Sequence, residues 1–254
     1  MTTVDVVGAA ARAWGVAMAG LAAAVPGGVC EQASHGTLLA LTGAPAAALN
    51  GVLSTGASPD AGEIDALAAK AREQVDQWGI QLRGMPDVET LRVAAEYGLT
   101  ARSLHPFMIK SLAGKESVPI GVPRIRRVWG DEHATYSAML AAGFEAPPAT
   151  FSGIASRPVL DSPGMTAYLA ERDGVAVATA FGVLVEDFVG VFNISTPPQH
   201  RGRGYGRAVT EAVLRDGREA GARAAFLHSS PAGLSLYESL GFRAREHWTH
   251  FMPA

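Results

Sequence analysis

Three apolar runs follow one another with very short connections, and this arrangement limits the fold more than any other feature of the sequence. The runs span residues 165–171, 175–185 and 188–195. Asp173-Gly174 is a typical hairpin turn between the first two, and the Glu186-Asp187 corner joins the second to the third. Connections of two or three residues join antiparallel strands, so we predict three consecutive antiparallel strands.

The segment after the third run, T-P-P-Q-H-R-G-R-G-Y-G-R at 196–207, leads into a helix-like run that ends near Ala220. Glycine adopts positive φ and allows the main chain to approach a ligand closely. The first N–H groups of the following helix have no intrahelical partner and carry partial positive charge. The segment therefore predicts a site for a phosphate or pyrophosphate, with added charge from Arg201, Arg203 and Arg207.

Other interpretations of this segment require features that it lacks. A Rossmann fingerprint needs G-x-G-x-x-G, whereas these glycines are spaced G-x-G-x-G. A P-loop needs G-K-[ST], which does not occur in the segment. An arginine- and glycine-rich RNA contact belongs to disordered arms and not to a strand–helix junction. A purely structural turn remains an open alternative.

Two motifs together resemble a known family. R-G-R-G-Y-G at 201–206 fits the R/Q-x-x-G-x-G/A signature of the GNAT superfamily of acyl-CoA-dependent N-acetyltransferases. L-Y-E-S-L-G-F at 236–242 is similar to that family's tyrosine on the last helix, followed by G-F. The resemblance covers about 128–254. It implies an α+β fold with a mixed, mostly antiparallel sheet flanked by helices, and acetyl-CoA (coenzyme A) as the acyl donor.

The resemblance also implies which residues hold the donor. Its pyrophosphate would lie on the main-chain N–H groups of the glycine segment, and its pantetheine arm would pair with the preceding strand as an additional strand. Pro197 and Pro198 would end that strand and let its neighbour separate, although simple loop stiffening explains them equally well. Ser230 falls where the family often has an asparagine on the cofactor arm. The expected binding residues are Ile194, Ser195, Thr196, Arg201, Gly202, Arg203, Gly204, Tyr205, Gly206, Arg207 and Ser230.

Tyr237 is the expected general acid, because the family's tyrosine falls at this position. A phenol with a pKa of ~10 keeps its proton at neutral pH and can transfer it to a thiolate whose parent thiol has a pKa near ~8.5. The alternative is a structural aromatic ring packed between Leu234 and Leu240. The oxyanion donor is expected to be a main-chain N–H near 194–196.

The sequence does not identify the general base. Glu186, Asp187, His200 and His228 are all close to the predicted site along the chain, but each is better explained as a turn or surface residue. No metal-binding set is expected, since the seven histidines are scattered without a cysteine partner.

The N-terminal half repeats the helix and strand pattern without an R-x-x-G-x-G motif. Its predicted strands are 37–42, 51–55, 80–84 and 102–112, with helices capped at Ser58-Pro59 and at Asp87. Y-G-L-T-A-R at 97–102 resembles L-G-F-R-A-R at 240–245. We therefore expect two similar lobes in tandem: a degenerate lobe at 1–112, a linker at 113–127 and a catalytic domain at 128–254. Arginines 124, 126 and 127 are expected to be solvated, with a contact to ligand phosphate as a weaker alternative.

Composition limits which classes of protein and which cellular locations remain possible. A net charge of −3 argues against a protein built to hold nucleic acid. Cys30 is the only cysteine, which excludes an intramolecular disulfide and favours a cytoplasmic location. Apolar residues from Val4 to Val25 recur at helical spacing, and the region lacks the basic start of a secretion signal, so we expect an amphipathic first helix and no membrane span.

These features predict an N-acetyltransferase that moves an acetyl group to a primary amine by direct attack. The acceptor would be a small-molecule or peptide amine, and the protein a monomer or homodimer. A non-catalytic acyl-CoA-binding regulatory protein is the alternative, because it would need the glycine segment but no general acid.

Overall fold

Helices and strands alternate along the chain in the computed structural model, which describes residues 5–114 and 123–254. The N-terminal half contains α1 (Val6–Ala24), β1 (Val29–Gln32), β2 (Leu38–Leu41), β3 (Asn50–Ser54), α2 (Ala61–Gln74), β4 (Gly79–Arg83), α3 (Val88–Glu96) and β5 (Ala101–Ser111). The C-terminal half contains β6 (Arg124–Val128), α4 (His133–Phe144), α5 (Arg157–Leu160), β7 (Met165–Arg172), β8 (Val175–Val185), β9 (Phe188–Ser195), α6 (Tyr205–Glu219), β10 (Ala224–His228), α7 (Leu234–Ser239) and β11 (Arg243–Met252).

The chain forms two compact units whose boundaries differ from the two halves of the sequence. The first unit contains the described residues up to Ile109, together with His228–Leu234 and Arg243–Ala254. The second contains the described residues from Lys110 to Leu227, together with Ser235–Phe242. The prediction of a single C-terminal domain at 128–254 therefore differs from this division at its last strand.

Strands of the first unit follow the order β1-β2-β3-β4-β11-β5. β1, β2 and β3 pair antiparallel, and β3 pairs parallel with β4 through the crossover helix α2. The last strand, β11, pairs antiparallel with β4 on one side and β5 on the other. The C-terminal strand thus completes the sheet of the first unit, and both of its main-chain edges are hydrogen-bonded there.

The second unit has the strand order β10-β9-β8-β7-β6. β7, β8 and β9 pair antiparallel in sequence, which confirms the three predicted antiparallel strands. Asp173 and Gly174 both have positive φ, as the predicted hairpin turn requires. β9 then pairs parallel with β10 through the crossover helix α6. The predicted α+β class with a mixed, mostly antiparallel sheet is confirmed.

Apart from β6 and α5, which occur only in the second half, both halves of the chain show the same order of elements. In each, a helix is followed by three antiparallel strands, a crossover helix, a parallel strand, a further helix and a last strand. The crossover helices are α2 in the first half and α6 in the second. That the two halves are copies of one fold stays a prediction supported by this order.

Several local predictions need correction. Residues 124–127 belong to β6 and not to a linker, and 115–122 of the predicted linker lie outside the described residues. Arg126 pairs with Glu132 and Glu171, so these arginines are not merely solvated. α2 is capped by Asp60 and not by Ser58, while Asp87 caps α3 as predicted. β1 was not predicted, because its four residues, V-C-E-Q, are too few to show a period.

The first helix, α1, packs one face into the first unit. Trp14, Met18 and Leu21 on that face are buried, which agrees with the predicted amphipathic stripe. By length and composition alone, α1 is also apolar enough to cross a membrane, a test that buried core helices and signal sequences also pass. The expectation of no membrane span therefore stays a prediction.

Candidate functional site

An opening lies between β9 and β10, the two parallel strands of the second unit. Their ladder runs from Ala224 opposite Phe188 to Phe226 opposite Gly190. β9 nevertheless continues to Ser195. Among the described residues, the edge of β9 beyond Gly190 therefore has no ladder partner on the β10 side. An extended chain that pairs with a free strand edge fits such an opening.

A β-bulge lies in β9 just before its end. Thr179 of β8 is opposite Ser195, but Phe181 is opposite Phe192, so β9 has an additional residue here. Asn193 adopts φ of 52°, and the Thr179 hydroxyl donates to its carbonyl at 2.8 Å. Asparagine tolerates this left-handed conformation better than most residues. The bulge turns the following main-chain groups away from the regular ladder, where they are available to a ligand.

The glycine segment forms an uncapped helix start. Gly202 and Gly204 have φ of 75° and 79°, and α6 begins at Tyr205 without a side-chain cap. The helices of the first unit differ, since an aspartate side chain caps each of α1, α2 and α3. The Ala208 N–H donates to the Gly204 carbonyl, which leaves the N–H groups at the helix start for another acceptor. This arrangement suits an anion.

Arg201 has a structural role that the sequence did not reveal. Its guanidinium donates to the carbonyls of Thr196 and Gly143, both at 3.0 Å, and to the Glu145 carboxylate at 2.7 Å. It therefore connects the end of β9 to the end of α4, and the expectation that it adds charge for a phosphate is not supported by these contacts. Gly143 allows this approach, because a β-carbon there would collide with the Ser195 side chain.

The other two arginines of the segment have different surroundings. Arg207 donates to the Ser239 hydroxyl of α7 at 2.6 Å and lies 3.6 Å from the Glu211 carboxylate. Arg203 is exposed, and the described residues include no hydrogen-bond or ion-pair partner for its side chain. Arg203 is thus the arginine of the segment that is available to bind an anion.

The start of α6, the end of β9 and α7 converge at Gly206. A β-carbon at Gly206 would lie 3.5 Å from Leu236, 3.8 Å from the Thr196 hydroxyl and 3.9 Å from the Ile194 side chain. Ser195 is buried, and its hydroxyl lies 3.0 Å from that of Thr179. The structure therefore brings the predicted strand-end residues together with the predicted glycine segment.

Tyr237 of α7 is buried, with 8% of its surface exposed. Burial raises the pKa of its phenol to about 12, so the group holds its proton at neutral pH. The Y-x-x-x-G-F motif has a local structural cause as well. Gly241 adopts φ of 90°, and the Phe242 N–H donates to the Tyr237 carbonyl at 3.0 Å, which closes the helix end.

Ser230 groups with the first unit, whereas the glycine segment belongs to the second, so its expected role stays a prediction. Its hydroxyl accepts from the Gly233 N–H at 3.2 Å and so stabilises the turn after β10. The contact with the cofactor arm that the resemblance predicted stays a prediction.

The four residues considered as bases have different surroundings. Glu186 and Asp187 form the turn at the beginning of β9, at the end opposite Ser195, and are turn residues as expected. His200 follows Pro198 in a 3-10 turn before the glycine segment, and its buried Nδ1 has no partner among the described residues. His228 was expected to be a turn or surface residue, which is wrong because both of its ring nitrogens are buried.

One group of possible metal ligands occurs in the described residues, although the sequence suggested none. His35, Asp60 and Glu63 place ligand atoms within 4.8 Å of one another. The Asp60 carboxylate caps α2, and Glu63 accepts from the main-chain N–H groups of His35 and Thr37. Helix capping and turn stabilisation account for both carboxylates.

Part of the chain matches a known protein family. Residues 133–242 match the model of the acetyltransferase (GNAT) family. The match begins at the first residue of α4 and ends before β11. No curated protein matches the chain significantly.

Solved structures share the fold at low identity. The GCN5-related N-acetyltransferase from Kribbella flavida is 20% identical, covers 96% of this chain and 95% of its own, and has a TM-score of 0.64. A functionally unknown conserved protein from Staphylococcus epidermidis is 13% identical, covers 89% and 93%, and has a TM-score of 0.58. The GCN5-related N-acetyltransferase from Sphaerobacter thermophilus is 18% identical, covers 75% and 66%, and has a TM-score of 0.55.

The matched domain is that of an acetyltransferase, and the fold is shared with solved acetyltransferases. Residues 133–242 form a domain that matches the acetyltransferase (GNAT) family, as the two sequence motifs indicated. Members of this family use acetyl-CoA.

Proposed function

We propose that this protein transfers an acetyl group from acetyl-CoA to a primary amine in the opening between β9 and β10. The observation that carries the proposal is the end of the parallel ladder at Gly190 and Phe226, together with the uncapped start of the crossover helix α6. The unpaired edge of β9 and the anion site at the start of α6 therefore lie at the same end of the second unit. Coenzyme A has both parts that such a site requires, a diphosphate and an extended amide-bearing arm.

The chain's own groups have distinct tasks in binding. The N–H groups of the loop and of the first turn of α6 would donate to the diphosphate, and Arg203 would add positive charge. Main-chain groups of Ile194, Ser195 and Thr196 would pair with the arm as a strand does. Arg201 would hold that strand end in place through its bond to the Thr196 carbonyl.

The chemistry then needs a proton donor and an oxyanion donor. Acetyl-CoA supplies an activated thioester carbonyl, which a neutral amine attacks directly. A main-chain N–H beside the Asn193 bulge would stabilise the developing oxyanion. As the carbon–sulfur bond breaks, the Tyr237 phenol would give its proton to the leaving thiolate. The high pKa that burial gives this phenol supports its protonated form at neutral pH.

The acceptor that we propose is a small molecule or peptide with a primary amine. The alternative is a protein that binds acyl-CoA and does not turn it over. Both use the same glycine segment, but only the enzyme requires the phenol of Tyr237. A substitution that removes the phenolic hydroxyl therefore distinguishes them.

Tyr237→Phe is expected to lower the rate of thiol release by roughly 10²–10⁴-fold, since this is the usual contribution of a general acid. Affinity for coenzyme A should stay unchanged. The rate is measured by trapping free thiol with a panel of primary amines, and affinity by calorimetry. Tyr168→Phe is the matched control, because the Tyr168 hydroxyl donates to Asp216 and has no part in the reaction.

Two outcomes would contradict the proposal at different points. Equal rates for Tyr237→Phe and the parent would remove the acid role while leaving the enzyme intact. Tight coenzyme A binding without thiol release for any amine would favour the binding protein.

A further inference from the structure

A closed group of aromatic rings surrounds His228 in the first unit. The Trp14 ring of α1 lies 4.1 Å from the His228 ring, measured between centroids. The rings of Trp248 and Phe107 lie 4.8 Å and 5.1 Å from it. This spacing leaves no room for a large ligand beside the imidazole.

Four buried polar atoms of this region have no protein partner among the described residues. They are both ring nitrogens of His228, Nε2 of His250 and Oε1 of Gln81. Gln81 and His250 are opposite each other in the β4–β11 ladder, so their side chains lie on the same face of the sheet. Buried polar atoms are almost always hydrogen-bonded in folded proteins, and leaving them unpaired destabilises the fold. Several such atoms in one place indicate a bound hydrogen-bonding molecule.

The histidines form a row that leads towards solvent. His228 and His250 have ring centroids 5.4 Å apart, and His250 stacks on His105 at 4.1 Å. His105 is half-buried, and its Nε2 lies 3.0 Å from the Ser103 hydroxyl. The row therefore joins the interior of the unit to its surface.

Charge in this region is low. Burial lowers the pKa of His228 well below its usual value and that of His250 to about 3, and it also lowers the pKa of His105. The charged groups nearby on the strands are Arg83 and Glu246, which pair with each other at 2.9 Å. The buried face of α1 carries no charged residue. No free countercharge among the described residues is thus available to a charged ligand or to a protonated imidazole.

We propose that ordered water molecules bind between Gln81, His228 and His250, and that this hydrated histidine cluster acts as an acid-sensitive lock on the first unit. Water is the ligand that fits, because it is small and neutral and both donates and accepts hydrogen bonds. At neutral pH the cluster holds α1 against the sheet that contains β11. Protonation of the imidazoles at lower pH opens the unit.

The direction of the pH effect follows from the two states. In the unfolded chain a histidine takes up a proton near pH ~6.5, whereas the buried rings stay neutral to lower pH. The free energy of unfolding is therefore not reduced by histidine protonation above about pH 6.5, and it decreases as the pH falls below that value. Each buried neutral histidine lowers the folding equilibrium constant by about tenfold per pH unit in that range.

The first test replaces His228 with a ring of similar size that neither titrates nor binds water. His228→Phe is expected to reduce the pH dependence of the folding equilibrium constant by about tenfold per pH unit between pH 6 and pH 4. Urea unfolding followed by tryptophan fluorescence measures this dependence. His247→Phe is the control, since His247 lies on β11 with His250 but is exposed. The same pH dependence in His228→Phe and the parent would overturn the lock.

The second test uses the unaltered protein and does not depend on how the variant folds. Imidazole NMR signals of His228 and His250 are expected to stay those of neutral rings down to pH 5, and hydrogen exchange in β11 should quicken as acid opens the unit. A crystal structure should show water within ~3 Å of the His228 ring nitrogens. Titration of His228 near pH 6.5, or protein atoms in place of water, would overturn the proposal.

Discussion

Arg201 and Arg203 are two positions apart in the glycine segment, yet their environments assign them different tasks. Arg201 makes hydrogen bonds to Thr196, Gly143 and Glu145, and it stabilises the strand end. Arg203 extends into solvent beside the uncapped start of α6. The sequence does not distinguish these two arginines, because both are positively charged and both lie next to glycines. Only the carbonyl groups that surround Arg201 distinguish them.

Arg203→Ala is expected to weaken coenzyme A binding by roughly tenfold, which corresponds to about 1.4 kcal/mol for one charged contact. Its urea midpoint should equal that of the parent. Arg201→Ala should instead lower the urea midpoint, since three hydrogen bonds are lost. Calorimetric titration and urea unfolding of both variants give the comparison, and equal coenzyme A affinity for Arg203→Ala and the parent would contradict the assignment.

The crossover helices α6 and α2 occupy equivalent places in the two halves but begin differently. Gly204 precedes α6 and leaves its first N–H groups without a side-chain cap, whereas the Asp60 carboxylate accepts from the Glu63 N–H at the start of α2. A carboxylate at that place accepts a hydrogen bond from an N–H group of the first turn, and its negative charge repels a phosphate. This difference gives a physical reason why the N-terminal half would not bind a diphosphate at the corresponding place.

Gly204→Ala tests whether the left-handed backbone of the loop serves binding. Gly174 is a matched control, because it has φ of 76° against 79° and neither position has neighbours that a β-carbon would meet. Both variants should lose about 1–2 kcal/mol of unfolding free energy from strain. Only Gly204→Ala should also lose coenzyme A affinity, as measured by calorimetry. Equal affinity in both variants would show that the loop conformation is not needed for binding.

Most elements of the chain were predictable from local pattern, and the exceptions have physical causes. β7, β8 and β9 were predicted closely, since apolar runs joined by very short turns are typical of antiparallel strands. β6 was assigned to a linker because its charged side chains show no apolar period, and ion pairs with Glu132 and Glu171 stabilise it instead. The Asn193 bulge left no sequence signal, since one asparagine in an apolar run is not distinctive.

At the scale of the whole molecule, the last strand decides how the chain is divided. β11 follows the motif of the second unit in sequence, yet it pairs with β4 and β5 of the first. Trp248 and Phe251 on this strand are buried. Glu246 pairs with Arg83, which is 163 positions away in the chain. The first unit therefore depends on a strand that is distant in the chain from its other strands.

Removal of residues 243–254 is expected to unfold the first unit, because β4 and β5 each lose the ladder partner on one side and two large buried apolar side chains are lost. Hydrogen exchange by region and urea unfolding measure the effect. Removal of Pro253-Ala254 alone is the control, as both residues lie beyond β11. A truncated chain with the parent's urea midpoint and the parent's protection in β4 would contradict this dependence.

The sequence by itself determined the consecutive strands of the second unit, the glycine segment with its helix, and the two motifs of the family. These features are local, since turn chemistry, periodicity and motif spacing act over a few residues. Tertiary structure alone decided that β11 belongs to the first unit, that Arg201 stabilises a strand end, and that the ring nitrogens of His228 are buried. Each of these depends on contacts between distant parts of the chain, which leave no pattern in a local stretch of sequence.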